Sequence, residues 1–541
     1  MEGTRIAIIG AGTSGLTAIK QCLDDGLVPI CFEKSNFIGG LWRYQEVDKD
    51  NKDPHSSIYK SIRTNTCKEL MSFSDFPIPV DWSTYLDYVH VEKYIDMYAE
   101  NFNLLPHIKF NTTVLKASIL TDKRWKVRYV TRGKGREEEE REEIFDYVMV
   151  CSGHHHHHRW PKYKGMDVFG GEQMHSHFYR QPTNFENKRI LVVGSGNSGM
   201  DIAVELSHVA SQVYLSARKG RLPWIYPLFL NGKAYDHRLS RFSTYIIPLS
   251  IKRKRMENAI VKEKGPFPPH LKPNEPLYTS LAAINSEIFE RLLDGKIIVK
   301  PNIKELKSEN NKIEFVDGTS LENIDVVIYS TGYDLKFPFL NRDIITGGDE
   351  IEKEYGKDYK DDLVWMHKLM FPPRYPNIAF LGLVVGAGAI FPVSEMQARY
   401  ITSQIKGFIK PLPSPAEMDQ CIRDRYERNR KFYVNPPRHT IQAKPLLYLD
   451  ELSKDIGCYP YSFEIIKKFG FGFWKLINFG LATPIQFRLL GRNSWEGSKE
   501  AILLYNKCAA GNNTKKHKDY IFWVSFSTIT IALLASIKNY W

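Results

Sequence analysis

Three observations predict an α/β chain with two Rossmann-like dinucleotide-binding domains, the second inserted in the first. The first is Arg5-Ile-Ala-Ile-Ile-Gly10-Ala11-Gly12-Thr13-Ser14-Gly15, an apolar run turning on spaced glycines into a helix expected from about Ser14 to Asp25. The second repeats it: Ile190 to Val193 lead into Gly194-Ser195-Gly196-Asn197-Ser198-Gly199, with a helix expected to open near Ser198. In such a turn the first glycine permits the bend and the second lets backbone approach a phosphate. The third lets helix pack on strand, and the helix N-terminus supplies donors and positive potential. The third observation is an echo between Asp146-Tyr-Val-Met-Val-Cys-Ser-Gly153 and Asp325-Val-Val-Ile-Tyr-Ser-Thr-Gly332, each an acidic residue, a buried strand and a small residue before glycine. Each reads as the closing strand of one nucleotide domain, so two nucleotides are expected.

At 541 residues the chain exceeds one core, and about 150 residues per domain implies three or four units. The expected divisions are 1–155 and 331–445 for the two parts of the first nucleotide domain. The second nucleotide domain takes 156–330, with a helical insertion at about 221–295. A C-terminal region follows at 446–518 and a membrane-anchor segment at 519–541. Hydrophobic residues at 43% and charged residues at 25% are an ordinary globular balance. The net charge of +12 is not gathered into a basic stripe with interleaved aromatics, so no nucleic-acid partner is expected; it suits an anionic membrane face or a phosphorylated cofactor. The seven cysteines form no Cys-x-x-Cys pair and no signal peptide precedes the first strand, which predicts a reduced body facing the cytosol.

Beyond the first turn, Val28-Pro-Ile-Cys-Phe32 leads to Glu33, an acidic residue placed to bond ribose hydroxyls. Ile38-Gly39-Gly40-Leu41-Trp42 follows, where paired glycines let backbone approach a bound group, then Arg63-Thr64-Asn65-Thr66-Cys67 and Phe73-Ser-Asp-Phe-Pro77. These elements, with Phe169-x-Gly171-x3-His175-x3-Tyr179, Ser330-Thr-Gly-Tyr333 and Phe391-Pro-Val-Ser-Glu395-Met-Gln397-Ala-Arg, resemble the flavin-containing monooxygenases, over nearly the whole chain. The resemblance is to the microsomal, dimethylaniline N-oxide-forming type. It implies FAD on the first turn and Gln397 at the flavin edge. It also implies Asn65 beside flavin and nicotinamide, with Thr64 and Thr66 helping to enclose them. Tyr179 stands where the related Baeyer–Villiger enzymes typically carry tryptophan, which favours heteroatom oxygenation without excluding ester formation from ketones.

Between Asn111 and Asp146, alternating apolar residues around the charged tip Gly133 to Glu143 predict a hairpin. His154 to His158 are five consecutive histidines. The first two fit the family's Gly-His-His; the role of His156 to His158 is open. Adjacent histidines on extended chain point to opposite faces and do not converge on one tetrahedral site, so no metal is expected. After the second turn, Val213-Tyr-Leu-Ser216-Ala-Arg218-Lys219 ends a strand with no acidic residue. Ser216, Arg218 and Lys219 instead suit a 2′-phosphate, which selects NADPH as the second nucleotide. The basic run Lys252 to Arg255 reads as a solvated helix rather than a membrane contact.

The C-terminal stretch Ile521 to Ile537 holds seventeen uncharged residues between lysines, with Tyr540 and Trp541 beyond. As a helix it would span ~26 Å, close to the thin endoplasmic-reticulum bilayer. The expectation is a helix anchoring the protein to that membrane with its body in the cytosol; spanning and monotopic arrangements both remain open.

The resemblance implies NADPH- and O2-dependent oxygenation of a soft amine or sulfide through a C4a-hydroperoxyflavin, with Asn65 as the guarding catalytic residue. Ketone oxygenation of Baeyer–Villiger type and NADPH oxidase activity releasing hydrogen peroxide are the alternatives, and a homo-oligomer is left open. A disulfide reductase shares paired turns but needs a redox dithiol that the cysteine spacing lacks. A membrane-tethered binder would keep the turns without turnover.

Overall fold

The computed structural model describes residues 3–49, 51–133, 139–386, 388–435 and 439–510. Its frame is two five-stranded parallel sheets that share the order of four strands and differ in the edge strand beside the closing strand, which enters last in the first sheet and first in the second. In the first, strands run Ile378–Phe380, Tyr147–Val150, Arg5–Ile9, Val28–Phe32, Ile108–Lys109; in the second, Glu172–His175, Val326–Tyr329, Arg189–Val193, Gln212–Ser216, Ile297–Lys300. Each glycine-turn strand therefore lies between its closing strand and the strand that follows its helix. Registers match as well: Ile6 pairs with Tyr147 and Arg5 with Val28, as Ile190 pairs with Val326 and Arg189 with Gln212. Both closing strands are buried along their whole length, as strands covered on two faces must be.

The repetition extends to a three-stranded antiparallel sheet in each half, Thr112–Ile119, Trp125–Thr131, Glu139–Phe145 in one and Ile303–Lys307, Lys312–Phe315, Ser320–Leu321 in the other. Both sit just before the closing strand. Here the expected hairpin is corrected, because the charged stretch from Glu139 is a third strand rather than a solvated tip. Charge pairs hold that edge: Lys126–Glu142 at 3.1 Å, and Arg5 and Lys109 on Glu143 at 2.7 and 2.5 Å.

Strand Ile378–Phe380 joins the first sheet only after the chain has completed the second, so the second sheet is inserted in the first. Helices open one residue earlier than expected, at Thr13 and Asn197, and the first ends at Asp24. Helix Thr13–Asp24 packs on helix Ile390–Ile405, whose residues Phe391 to Ser403 are all buried.

The insertion is less helical than expected. It mixes two-residue strand pairs with helices Arg241–Tyr245, Leu249–Lys264 and Ile288–Leu293. Ile260 is the one buried residue of Leu249–Lys264, so the helix with the basic run is solvated, and Lys252 and Arg253 donate to the carbonyls of Thr244 and Leu277. The C-terminal region forms helices Pro445–Ile456, Ser462–Phe469, Phe471–Phe479 and Ser498–Ala510. Among the described residues no helix is long and apolar enough to cross a membrane; the anchor expected at 519–541 lies outside them.

Candidate functional site

Both glycine turns require glycine for a measurable reason. Gly10 has φ +101° and Gly194 φ +112°, in the left-handed region, and a Cβ on either would lie 2.8 Å from the Cys151 carbonyl or 2.3 Å from the Ser330 carbonyl. A Cβ on Gly15 would lie 1.9 Å from the Gly10 carbonyl oxygen and one on Gly199 1.8 Å from that of Gly194. The middle glycine leaves room instead: nothing lies within 4 Å of a Cβ on Gly196. Neither helix has a side-chain cap or an acidic residue in its first turn. The donors and positive potential at both helix starts are thus left for an external anion, which fits a dinucleotide pyrophosphate.

The two turns differ in cover. Around the first, Ala11, Thr13 and Gly15 are buried; Gly40 sits against Gly12, where its Cβ would be 3.1 Å from the Gly12 Cα, and Gly39 N–H donates to the Ala11 carbonyl. The Gly40–Trp42 turn thus closes over the first glycine turn. Glu33 is buried, accepting from Ala11 N–H at 2.7 Å and from Ser35, so it braces the turn while keeping further acceptor capacity. The Ser14 hydroxyl meets that of Ser394 at 2.9 Å. Around the second turn, Gly196, Asn197 and Ser198 are exposed and Ser195 half-buried. The Asn197 side chain accepts from Ile284 N–H at 2.8 Å, which ties the insertion to this turn.

Gln397 stands one layer back: it is fully buried, accepts from Gly382 N–H at 2.8 Å and donates to the Tyr448 hydroxyl at 2.9 Å. A Cβ on Gly382 would lie 2.3 Å from Ser14 Oγ, so Gln397 reaches the first turn through the Gly382 backbone. Ser216 is also turned inward, donating to the Pro301 carbonyl at 2.7 Å. Arg218 is exposed and makes no ion pair among the described residues, whereas Lys219 is engaged by Glu275 at 2.7 Å.

Thr64 and Thr66 are buried and Asn65 between them is exposed. Thr64 is pinned to Leu86, donating from N–H at 2.7 Å and accepting at its hydroxyl at 2.9 Å. The insertion grips the same segment: the Tyr235 hydroxyl donates to the Asn65 carbonyl at 3.0 Å and Cys67 N–H to Asp236 at 2.8 Å. With its backbone clamped from both domains, Asn65 presents a side-chain amide that has no partner among the described residues.

The motif through His175 and Tyr179 has a structural account. A Cβ on Gly171 would strike the Phe169 ring at 2.6 Å and the Ile324 carbonyl at 2.8 Å, so only glycine lets this strand start beside the closing strand. Tyr179 is fully buried and donates to Glu205 on the second glycine-turn helix at 2.8 Å. On the same helix Asp201 receives Tyr59 at 2.8 Å and Asn285 at 2.7 Å, and burial pushes its carboxyl up to about 6 against those two donors.

Sequence reasoning missed Arg488. Fully buried, it donates to Ser74 Oγ at 2.7 Å and Glu395 at 2.5 Å and pairs with Asp75 at 2.8 Å, while Lys20 also holds Asp75 at 2.7 Å. The Phe-Ser-Asp-Phe-Pro and Phe-Pro-Val-Ser-Glu elements, read separately in the sequence, are two sides of one ionic cluster closed by the C-terminal region. A cavity of about 690 Å³ lined by Thr4, Asp146, Tyr147 and Pro372 to Ile378 lies at the N-terminal ends of the first sheet's strands, opposite the glycine turns.

The flavin-binding monooxygenase-like family matches residues 3–537. Flavin-containing monooxygenase 5 of Cavia porcellus is 38% identical over 555 residues, spanning 99% of this chain and 98% of that protein. S-allyl-L-cysteine S-oxygenase from Allium sativum has a similar fold, with a TM-score of 0.60 at 23% identity over 99% of this chain and 98% of that one. So does cyclohexanone monooxygenase from Rhodococcus sp. Phi1 bound to NADP+, with a TM-score of 0.55 at 17% identity over 78% and 90%.

Proposed function

Since the chain belongs to the flavin-binding monooxygenase-like family, we propose that it uses FAD, NADPH and O2 to oxygenate soft nucleophilic nitrogen or sulfur atoms of small molecules. The observation that carries this is the pair of uncapped glycine turns of one geometry and opposite cover, one closed over by the Gly40–Trp42 turn and one open. A closed turn suits a cofactor retained through many turnovers and an open one a coenzyme that exchanges. FAD and NADPH, when bound, supply hydride transfer and the activation of dioxygen. The protein's share is binding, orientation and exclusion of water. Backbone N–H groups at Thr13 to Gly15 and Asn197 to Gly199 take the pyrophosphates, and Glu33 the first ribose. Arg218 takes a 2′-phosphate without help from the Ser216 hydroxyl. Asn65 would offer its free amide to the reacting ring, with its backbone held by Tyr235 and that of Thr64 by Leu86, and Thr64 and Thr66 would seal the segment behind it. No side chain has to activate a soft amine or sulfide, which is itself the nucleophile.

Ketone oxygenation is the second reading, because the fold is shared by S-oxygenating and ketone-oxygenating enzymes alike. Purified protein should carry flavin and consume NADPH in step with S-oxide formed from a thioether. Ester from a ketone at a higher rate would reverse the order of the two readings, and peroxide in place of either product would make the protein an oxidase.

Membrane attachment belongs to the same proposal. Phe463, Ile466, Phe471 and Phe479 are exposed on the helices at 462–479, as is Tyr461 just before them, with Leu503 and Leu504 exposed on the last described helix. Lys467, Lys468 and Lys475 lie among them, the mixture an anionic lipid surface attracts. This face and the apolar stretch at 521–537 together would seat the catalytic body on the cytosolic side of the endoplasmic-reticulum membrane. Protein truncated after Lys518 should keep its flavin and bind vesicles more weakly. Loss of flavin on truncation would place the segment in the fold instead.

A further inference from the structure

The five histidines have no part in the reading above, yet the fold surrounds them with others. The run bends from His154 to His157 and neighbouring rings stay close, His154 4.2 Å from His155 and His156 5.0 Å from His157 between centroids. His156 lies 4.8 Å from His55 and 6.0 Å from His177 between centroids, and His158 lies 5.5 Å from His175 and 5.4 Å from His177, while His155 turns toward Tyr333. One ligand atom each of Asp53, His158 and His177 falls within 4.8 Å of the other two, with Asp53 Oδ1 3.9 Å from His177 Nε2. In the same cluster His55 Nδ1, His156 Nδ1, His158 Nδ1 and His175 Nε2 are buried without a hydrogen-bond partner among the described residues. Buried imidazole nitrogens are nearly always satisfied, so four orphans in one place call for an ion or ordered water.

We propose that Asp53, His158 and His177 bind one divalent transition-metal ion of the Zn2+ class. Two imidazoles and a carboxylate suit Zn2+, Co2+ or Ni2+ rather than Mg2+ or Ca2+, which prefer oxygen alone, and a three-ligand set leaves one position open. Bonds of about 2.0–2.1 Å put tetrahedral ligand atoms about 3.3 Å apart, so these atoms need to close by about 1.5 Å at most. Asp53, with 61% of its side chain exposed, is free to make that movement. His177 now shares its Nε2 proton with the Pro54 carbonyl at 2.8 Å; ligation through Nε2 shifts the proton to Nδ1, where the Tyr333 hydroxyl stands at 3.5 Å. The other such cluster among the described residues, Cys67, Glu69 and His237, differs: its thiol is pushed up by burial and Glu69 is taken by His237 at 3.2 Å.

The three ligands come from separate stretches. Asp53 follows the Gly40–Trp42 turn, His158 lies on the connection leaving the first sheet, and His177 lies just past the edge strand of the second. An ion there would pin the two sheets' connection to the loop covering the first glycine turn.

The test uses the full-length, flavin-loaded protein, stripped with chelator and titrated with Zn2+ by calorimetry and with Co2+ by absorbance. The expected result is one equivalent, a visible band of tetrahedral Co2+, and a rise in melting temperature with Zn2+. Asp53→Asn and His177→Gln should each weaken affinity by more than the 10- to 100-fold typical of outer-shell changes and abolish the Co2+ band. Asp53 is exposed, so its variant reports even where His177→Gln fails to fold. A His155→Gln/His157→Gln double variant, altered in the same run but outside the triad, should bind like wild type. Binding that survives Asp53→Asn, or that the double variant removes, would reveal adventitious capture by the run and overturn the site.

Discussion

Exchanging alanine for the last glycine of each turn separates the roles of the two nucleotide sites. In Gly199→Ala the new Cβ starts 1.8 Å from the Gly194 carbonyl oxygen and 3.3 Å from Ser330 Cβ, where ordinary contact begins at 3.4 Å. The obstacle is backbone, which cannot rotate aside, so helix Asn197–Leu206 has to move about 1.6 Å off strand Arg189–Val193. Overpacking of this kind costs about 1 to 3 kcal/mol. If that cost falls on the complex, at about 1.4 kcal/mol per tenfold, the Michaelis constant for NADPH should rise about 5- to 140-fold. Flavin content should stay at the wild-type level. In Gly15→Ala the clash is 1.9 Å, from the Gly10 carbonyl oxygen, and the pattern should invert: protein purified with little flavin, and NADPH oxidation proportional to what remains. Flavin absorbance near 450 nm and initial rates across NADPH concentration give both readings from one preparation. A Gly199→Ala protein that loses flavin but keeps its NADPH constant would refute the assignment of the turns.

Other outcomes follow from single contacts. Arg218→Ala should raise the NADPH constant by about 1.5–3 kcal/mol, or roughly 10- to 140-fold, and leave NADH nearly unchanged; equal changes would remove Arg218 from the 2′-phosphate. Asn65→Asp keeps size but exchanges an amide donor for a carboxylate. It should still bind FAD and oxidise NADPH, while about a hundredfold less product forms per peroxide released; wild-type coupling would show that Asn65 is not the guard. Arg488→Met leaves Glu395 without its cation, since Lys20 still holds Asp75, and should cost about 3–5 kcal/mol of stability, partly restored by adding Glu395→Gln. Matching melting temperatures in the single and double variants would contradict this. Burial depresses His175 to about 3 and His367 to about 4, and each keeps a buried Nε2 without a partner among the described residues. The unfolded chain then binds more protons below about 6.5, so this stability is complete above that pH and is lost as pH falls through 4 and 3. Removing His367 as His367→Gln should flatten the decline in urea midpoint between pH 6.5 and 4; an unchanged slope would exclude it as a contributor.

By itself the sequence determined what depends on near neighbours along the chain. Gly10, Gly15, Gly194 and Gly199 are fixed by clashes within their own turns and against the closing strands, and the two halves repeat because each must bury the same strand, turn and helix. Alternation along the histidine run, expected of extended backbone, does not hold, because the chain bends from His154 to His157 and sets neighbouring rings 4.2 and 5.0 Å apart. Tertiary structure decided whatever depends on segments far apart in sequence. Backbone pairing with Trp125–Thr131 made the stretch from Glu139 a strand, and Arg5, Lys109 and Lys126 pair its charges. Gln397 and Ser216 carried suitable chemistry at suitable spacing, but their polar groups were claimed by Gly382, Tyr448 and Pro301, partners no local pattern announces. Arg488 closes a cluster with Ser74, Asp75 and Glu395 from more than 90 residues away, and Asp53 and His177 reach His158 only because the two sheets meet. The cause is common to all of these: turn geometry is set by bonds and close contacts within a few residues, whereas the engagement of a buried polar group is set by whichever distant donor or acceptor the packed sheets bring to it.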